Sequence, residues 1–191
     1  MTFIDQPYTY DLKASYWLAD DGRLFGSAPQ ALVTTADPDY VAWCSNHAAI
    51  LWPRDDGGAQ TDATLQAVLA PFGIFVNLNY YAANCRYNLA SGGVTIAGNR
   101  YLSDPTARNT VSSAHDYAVA NPGHITDWKL ANGTFIKLNE AQLAHVLQEM
   151  ATFVQACFTC ESNQVAGIAG GTVTTRAQID AAFAAIPTTY P

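Results

Sequence analysis

Apolar positions recur along this chain with two periods, and the longest run of the helical one lies near the C-terminus. Leu143, Val146, Met150, Phe153, Cys157 and Cys160 alternate at spacings of three and four, with Leu147 and Val154 widening the stripe. His145, Gln148, Glu149, Thr152, Gln155 and Thr159 fall on the opposite face. Asn139 stands where the N-cap belongs and Gln142 three residues on, as a capping box requires. The pattern predicts one long helix as the spine of the C-terminal half.

Ahead of it, Ile125 to Leu138 reads as a hairpin about Asn132-Gly133, because a type I′ turn needs two consecutive residues at positive φ. A two-residue loop there pairs Ala131 with Thr134, Leu130 with Phe135 and Trp128 with Lys137. Leu130, Phe135 and Trp128 then share a face, and the Lys137 stem lies across the indole. Leu78, Ala82, Cys85 and Leu89 predict a helix over 78–90, ended by Gly92-Gly93. Val94 to Leu102 reads as two short strands around Gly98-Asn99. Ser103-Asp104-Pro105 opens a further helix with the small-residue stripe Ala107, Val111, Ala114 and Ala118. Thr174 or Thr175 caps a last helix carrying Ile179, Ala182, Phe183 and Ile186.

The first 75 residues are patterned differently. Residues 1–15 look extended, with Tyr8 and Tyr10 as anchors for such an arm. Tyr16 to Phe25 predicts a hairpin turning at Asp21-Gly22. Asp37-Pro38 and Thr61-Asp62 each open a short helix. The fold class expected is therefore α+β. A small subdomain of hairpin and helices (1–75) precedes a mainly helical domain (76–191) with two short β-hairpins and one long helix.

Composition narrows the function. Apolar residues make up 49%, enough for a core, and there are only 9 lysines and arginines in a chain of net charge −7. With no basic cluster, a nucleic-acid partner is not expected. No apolar run approaches the roughly 18–20 residues of a membrane span, so membrane insertion is not expected either. The N-terminus lacks the basic and apolar regions of a secretory signal. Synthesis in a cytoplasm and reduced cysteines follow as expectations. Charged residues are 13%, about half the usual share of roughly 25%. A surface so poor in charge points to one covered by neighbours, hence to an oligomeric assembly.

Candidate chemistry is thin. Cys157-x-x-Cys160 with Cys44-x-x-His47 could in principle make a tetrahedral zinc site. Both Cys157 and Cys160 lie on the apolar stripe, however, where cysteine behaves as a small hydrophobe. His115-Asp116 are neighbours on a helix, where adjacent side chains do not face each other. No nucleophile elbow and no phosphate loop is present. Catalytic, cofactor and metal sites are therefore not expected, and the chain is read as a non-enzyme. The aromatics remain. Tyr8, Tyr10, Trp17, Trp43 and Trp52 are candidates for a partner interface, whereas Trp128, Asn132, Gly133 and Cys157 are assigned to structure.

Several motifs come in a recognisable order: Tyr81-Ala-Ala-Asn-Cys85-Arg86-Tyr87, Gly92-Gly93-Val-Thr-Ile-Ala-Gly98, Arg108, Trp128-Lys-Leu-Ala-Asn-Gly133-Thr-Phe135, and Val154-Gln-Ala-Cys157-Phe158. Over residues 78–187 the chain resembles a domain of unknown function that recurs in tail-fibre and other tail-associated proteins of phages and prophages. Thr159-Cys160 departs from the family's pattern, in which a charged residue closely follows Gln-Ala-Cys-Phe. The resemblance carries no catalytic residues. It implies a structural component of a phage tail, at the tail tip or fibre attachment region, working through protein–protein contacts. Its partners would be other tail proteins, namely fibre or tail-tip subunits. It would be made in the bacterial host cytoplasm and reside in the virion tail. Two alternatives are a tail-fibre assembly chaperone absent from the mature particle, and a cell-wall or sugar-binding module.

Overall fold

The computed structural model describes residues 11–191, so Tyr8 and Tyr10 lie outside the described residues. Among the described residues, six α-helices and nine short strands in three small sheets make the fold α+β. The chain divides into two compact units between Tyr80 and Tyr81, a few residues beyond the break at 75/76 expected from the sequence.

In the first unit, β1 (Tyr16–Leu18), β2 (Leu24–Gly26), β3 (Ala31–Val33) and β4 (Ile50–Leu51) form a sheet in the order β3-β2-β1-β4. The β1–β4 pairing is parallel and the others antiparallel. Strand alternation sends Trp17 and its cross-strand partner Phe25 to one face. There they pack with Trp52 and with Leu65 and Leu69 of α2 (Asp62–Leu69). Trp17, Trp52 and Phe25 are all fully buried. The buried amide of Gln66 replaces a missing strand partner: its Nε2 donates to the Ile74 carbonyl at 3.0 Å, and the Val76 N–H donates to its Oε1 at 2.8 Å. On the other face of β1, Tyr16 meets Tyr40 and Trp43 of α1 (Pro38–Trp43).

The first hairpin turns through Asp20-Asp21-Gly22, a three-residue loop. The Ala19 N–H donates to the Arg23 carbonyl, and Gly22 has a φ of +88°. Arg23 then holds the loop down. Its Nε reaches Asp21 at 2.8 Å, another guanidinium nitrogen reaches Asp62 at 3.0 Å, and its plane lies 4.7 Å from the Trp52 ring.

The second unit is built on the predicted spine. It contains most of α3 (Leu78–Ser91), then β5 (Val94–Ile96), β6 (Asn99–Tyr101), α4 (Pro105–Ala120), β7 (Thr126–Lys129) and β8 (Phe135–Leu138). The long α5 (Glu140–Ala169), α6 (Arg176–Ala184) and β9 (Thr189–Tyr190) complete it. At 1.5 Å per residue, the 30-residue α5 is about 45 Å long. Its N-terminus carries the Asn139–Gln142 capping box. Leu143, Val146, Met150, Phe153, Val154 and Cys157 are buried against Val111 and Ala118 of α4, Ala90, Val94, Ile96 and Tyr101. Cys160 is only half-buried. After α5 the chain turns back through Gly170-Gly171 and lays Val173 against Gly167, where a Cβ would lie 2.6 Å from the Val173 side chain. That return packs Ile179 and Phe183 inside. β9 then pairs in parallel with β5.

The Asn132-Gly133 hairpin departs from expectation. Its register is Trp128 opposite Ile136 and Asp127 opposite Lys137, one residue away from that of a two-residue loop. Ala131, Asn132 and Gly133 form a three-residue loop in which Gly133 has a φ of +86° and Asn132 does not have positive φ. The Asn132 Oδ1 accepts from the Thr134 N–H at 3.0 Å and from its hydroxyl at 2.7 Å. A turn of this kind ends in one left-handed residue, where type I′ needs two. The one-residue shift exchanges the faces. Trp128, Ile136, Leu130 and Leu138 now pack towards the core, Phe135 is exposed, and Lys137 pairs with Asp127 at 2.9 Å instead of crossing the indole. The two-residue turn with positive φ occurs instead at Ala97-Gly98, where φ is +48° and +77°.

Candidate functional site

Of the tryptophans expected at a partner interface, Trp17 and Trp52 are core residues instead. Each is at most 1% exposed, and the Trp52 indole N–H donates to the Thr61 carbonyl at 2.8 Å. The alternation of β1 and the docking of α2 enclose them, and composition carries neither signal. Trp43 is half-buried. It stacks on His47 at 4.8 Å with an interplanar angle of 14°, and also meets Tyr16 at 5.2 Å and Tyr40 at 6.4 Å. The His47 Nδ1 lies 3.1 Å from the Trp43 carbonyl, which holds the imidazole over the indole. Burial, then the nearby Asp37 and Asp39, push the Tyr16 phenol above its ordinary range. Val41, on the same helix as Tyr40 and Trp43 of this aromatic ladder, is exposed. Leu32 and Leu51 are exposed on the two outer strands, β3 and β4.

In the second unit, Trp128 is half-buried against the core. Cys157 is fully buried, and desolvation pushes its thiol up to about 11. Desolvation raises Cys160 as well. Thiols held in the protonated form are poor nucleophiles and poor ligands. Among the described residues no group of three or more His, Cys, Asp or Glu side chains is placed to hold a metal ion. Cys44 is exposed on the first unit. His115 does reach its neighbour, with Nδ1 3.7 Å from the Asp116 carboxylate. The exposed His145 places Nε2 2.9 Å from the Pro191 carbonyl.

Two clusters on the motif residues were not legible in the sequence. The Tyr81 hydroxyl donates to Asp180 at 2.5 Å, Cys85 lies 3.9 Å from the same oxygen, and the Arg176 guanidinium sits 4.8 Å from the Tyr81 ring. This cluster joins α3 to α6. Arg86 joins α3 to α5, with Nε 2.8 Å from Glu161 and the guanidinium carbon 4.6 Å from the Phe158 ring. In each cluster a guanidinium lies over an aromatic ring, and in the second it also pairs with a carboxylate, which is the work of a helix clamp. The Arg108 Nε is buried and has no hydrogen-bond partner among the described residues. Two grooves flank α5. One, of about 310 Å³, lies beside its first turns and is lined by Tyr101, Leu138, Gln142 and His145. The other, of about 520 Å³, runs between α5 and α6 along Ala156, Thr159, Asn163, Ala182 and Ala185.

Large apolar side chains are exposed across the second unit: Tyr87, Leu102, Tyr117, Val119, Phe135 and Phe158 are each 45–67% exposed. Among the described residues no helix is long and apolar enough to cross a membrane. A family model described as a domain of unknown function, DUF4376, matches residues 76–186. No curated protein and no solved structure matches the chain.

Proposed function

The chain belongs to the DUF4376 family, and on that premise we propose that it is a non-enzymatic structural component of a phage tail, seated at the tail tip or fibre attachment region. The observation that carries this reading is the surface. A chain with 13% charged residues exposes large apolar side chains on both units, Leu32, Val41 and Leu51 on the first and Tyr117, Val119 and Phe135 on the second. Such side chains in water favour burial by about 25 cal/mol per Å², and so many of them on a chain with so little charge support a subunit whose surface is covered by neighbours. Its partners would be fibre or tail-tip subunits, and the reading of the motifs as tail-associated supplies that identity. Deleting the gene from the phage or prophage genome tests it. Tails are expected to lose their fibres or tip in electron micrographs, and complete, infectious tails overturn the proposal.

A second reading, a sugar-binding module, is favoured by the half-exposed Trp43–His47 stack on α1. Aromatic faces of this kind form platforms for pyranose rings. Binding on a glycan array that Trp43→Ala abolishes supports it; a blank array removes it.

A further inference from the structure

Tyr101 ends β6 and is 2% exposed. Its ring packs in the core of the second unit, but its hydroxyl makes no hydrogen bond among the described residues. A buried polar group is normally paired. Nor is this oxygen sealed in, because among the described residues the Arg108 Nε is the sole buried side-chain nitrogen or oxygen without a partner. The sliver of surface that Tyr101 keeps therefore includes its hydroxyl. It opens on the groove of about 310 Å³ that Tyr101 lines together with the first turns of α5. Burial pushes the phenol above its ordinary value of 10.0, so the hydroxyl holds its proton and can donate.

The same groove holds further donors. Asn139 and Gln142 use their Oδ1 and Oε1 atoms in the capping box. Each keeps an NH2 group, for which the described residues supply no acceptor. Asn99 supplies the complement: its Nδ2 donates to the Ala97 carbonyl at 3.3 Å, and its Oδ1 accepts from no described residue. Leu138 and Val146 add apolar wall. No Lys, Arg, Asp or Glu lines the groove, and His145, which does, already has its Nε2 2.9 Å from the Pro191 carbonyl. A carboxylate is disfavoured by Glu140 in the same helical turn and by the net charge of −7. An ammonium group would find no carboxylate to pair with and would leave the donors unmet.

We propose that this groove binds a small uncharged amide, whose carbonyl oxygen accepts from the Tyr101 hydroxyl while its apolar body lies on Leu138 and Val146. An amide joins a strong acceptor to an N–H in one neutral group, and the Asn99 Oδ1 is the acceptor for that N–H. The site lies wholly in the second unit and is separate from the Trp43–His47 stack of the first. It goes beyond the tail reading and does not depend on it.

Benzamide, titrated into the isotope-labelled full-length chain and followed by NMR, tests the site. Saturable shifts are expected at the backbone amides of Asn99, Tyr101 and Gln142. Tyr101→Phe keeps the ring and removes the hydroxyl, and should weaken binding about fivefold, the contribution of one neutral hydrogen bond. Ala141→Leu, at an exposed position on the groove, fills the space and should abolish the shifts; it keeps the test decisive should Tyr101→Phe fail to fold. Benzylamine has the same ring with a charged donor in place of the carbonyl, and should give no saturable shifts there. The absence of saturable shifts with benzamide overturns the proposal, as does undiminished binding by either variant. So does benzylamine binding as strong as that of benzamide, or tighter binding of benzoate, which would mark an anion site.

Discussion

The Tyr81 hydroxyl donates a 2.5 Å hydrogen bond to the Asp180 carboxylate, tying the first turn of α3 to the middle of α6 across 99 positions of sequence. The hydrogen bond to Asp180 is the main cause that pushes the Tyr81 phenol well above its ordinary value of 10.0, with burial adding to it. A raised folded-state value means that the stabilisation is complete below about pH 10 and is lost as pH rises from there. Tyr81→Phe is expected to lower stability by about 1 kcal/mol at neutral pH. It should also flatten the decline of stability above pH 10. Urea titrations of both proteins across that range check it; parallel declines would count against the assignment.

Cysteine reactivity separates the four thiols. Cys157 is fully buried and held protonated, its pKa pushed up to about 11, whereas Cys44 is exposed. The thiolate is the nucleophile, so iodoacetamide at pH 8 should label Cys44 readily and leave Cys157 intact until the protein unfolds. Peptide mapping of the alkylated native protein reads this. Equal labelling of the two would contradict the packing of α5.

The tryptophans differ in what their loss should cost. Trp52→Ala removes a fully buried ring, a hydrogen bond to Thr61 and the surface on which Arg23 lies. A loss of about 3–5 kcal/mol is expected, enough to unfold the first unit. Trp128 is half-buried, and its replacement by Ala should cost about 2 kcal/mol, below the range for a fully buried ring. Chemical denaturation followed by fluorescence distinguishes them. The ranking fails if Trp128→Ala is the more damaging.

What the sequence reveals and conceals divides along local and non-local lines. The caps at Asp37, Thr61, Asp104, Asn139 and Thr175 all form where the residues call for them. Each depends on atoms within four residues. The stripe of α5 is legible for the same reason. The burial of Trp17 and Trp52 was not, because the contacts enclosing them come from α2, some 45 residues after Trp17. Neither were β4 and β9, two-residue strands too short to carry a period, nor the Tyr81 and Arg86 clusters, whose partners lie 99 and 75 positions away.

The hairpin register is the instructive case. Asn132-Gly133 carries the strongest turn signal in the chain, yet only its glycine is left-handed. Packing of Trp128 and Ile136 against the core selects the three-residue loop. Gly133→Ala is therefore expected to cost about 1–2 kcal/mol through its positive φ. Asn132→Ala, which loses side-chain bonds to Thr134 at an exposed site, should cost about 0.5–1 kcal/mol. Thermal melts of the pair check the order. Equal, large losses would instead mark a type I′ turn.

Under the proposed function this chain would stay in the finished tail as one of its subunits. Quantitative mass spectrometry of purified particles addresses it most directly. Peptides from both units are expected at a fixed ratio to known tail proteins, unchanged by further purification. Particles that carry the fibres but none of this chain would contradict it, and would make the chain an assembly chaperone that leaves before the particle is complete.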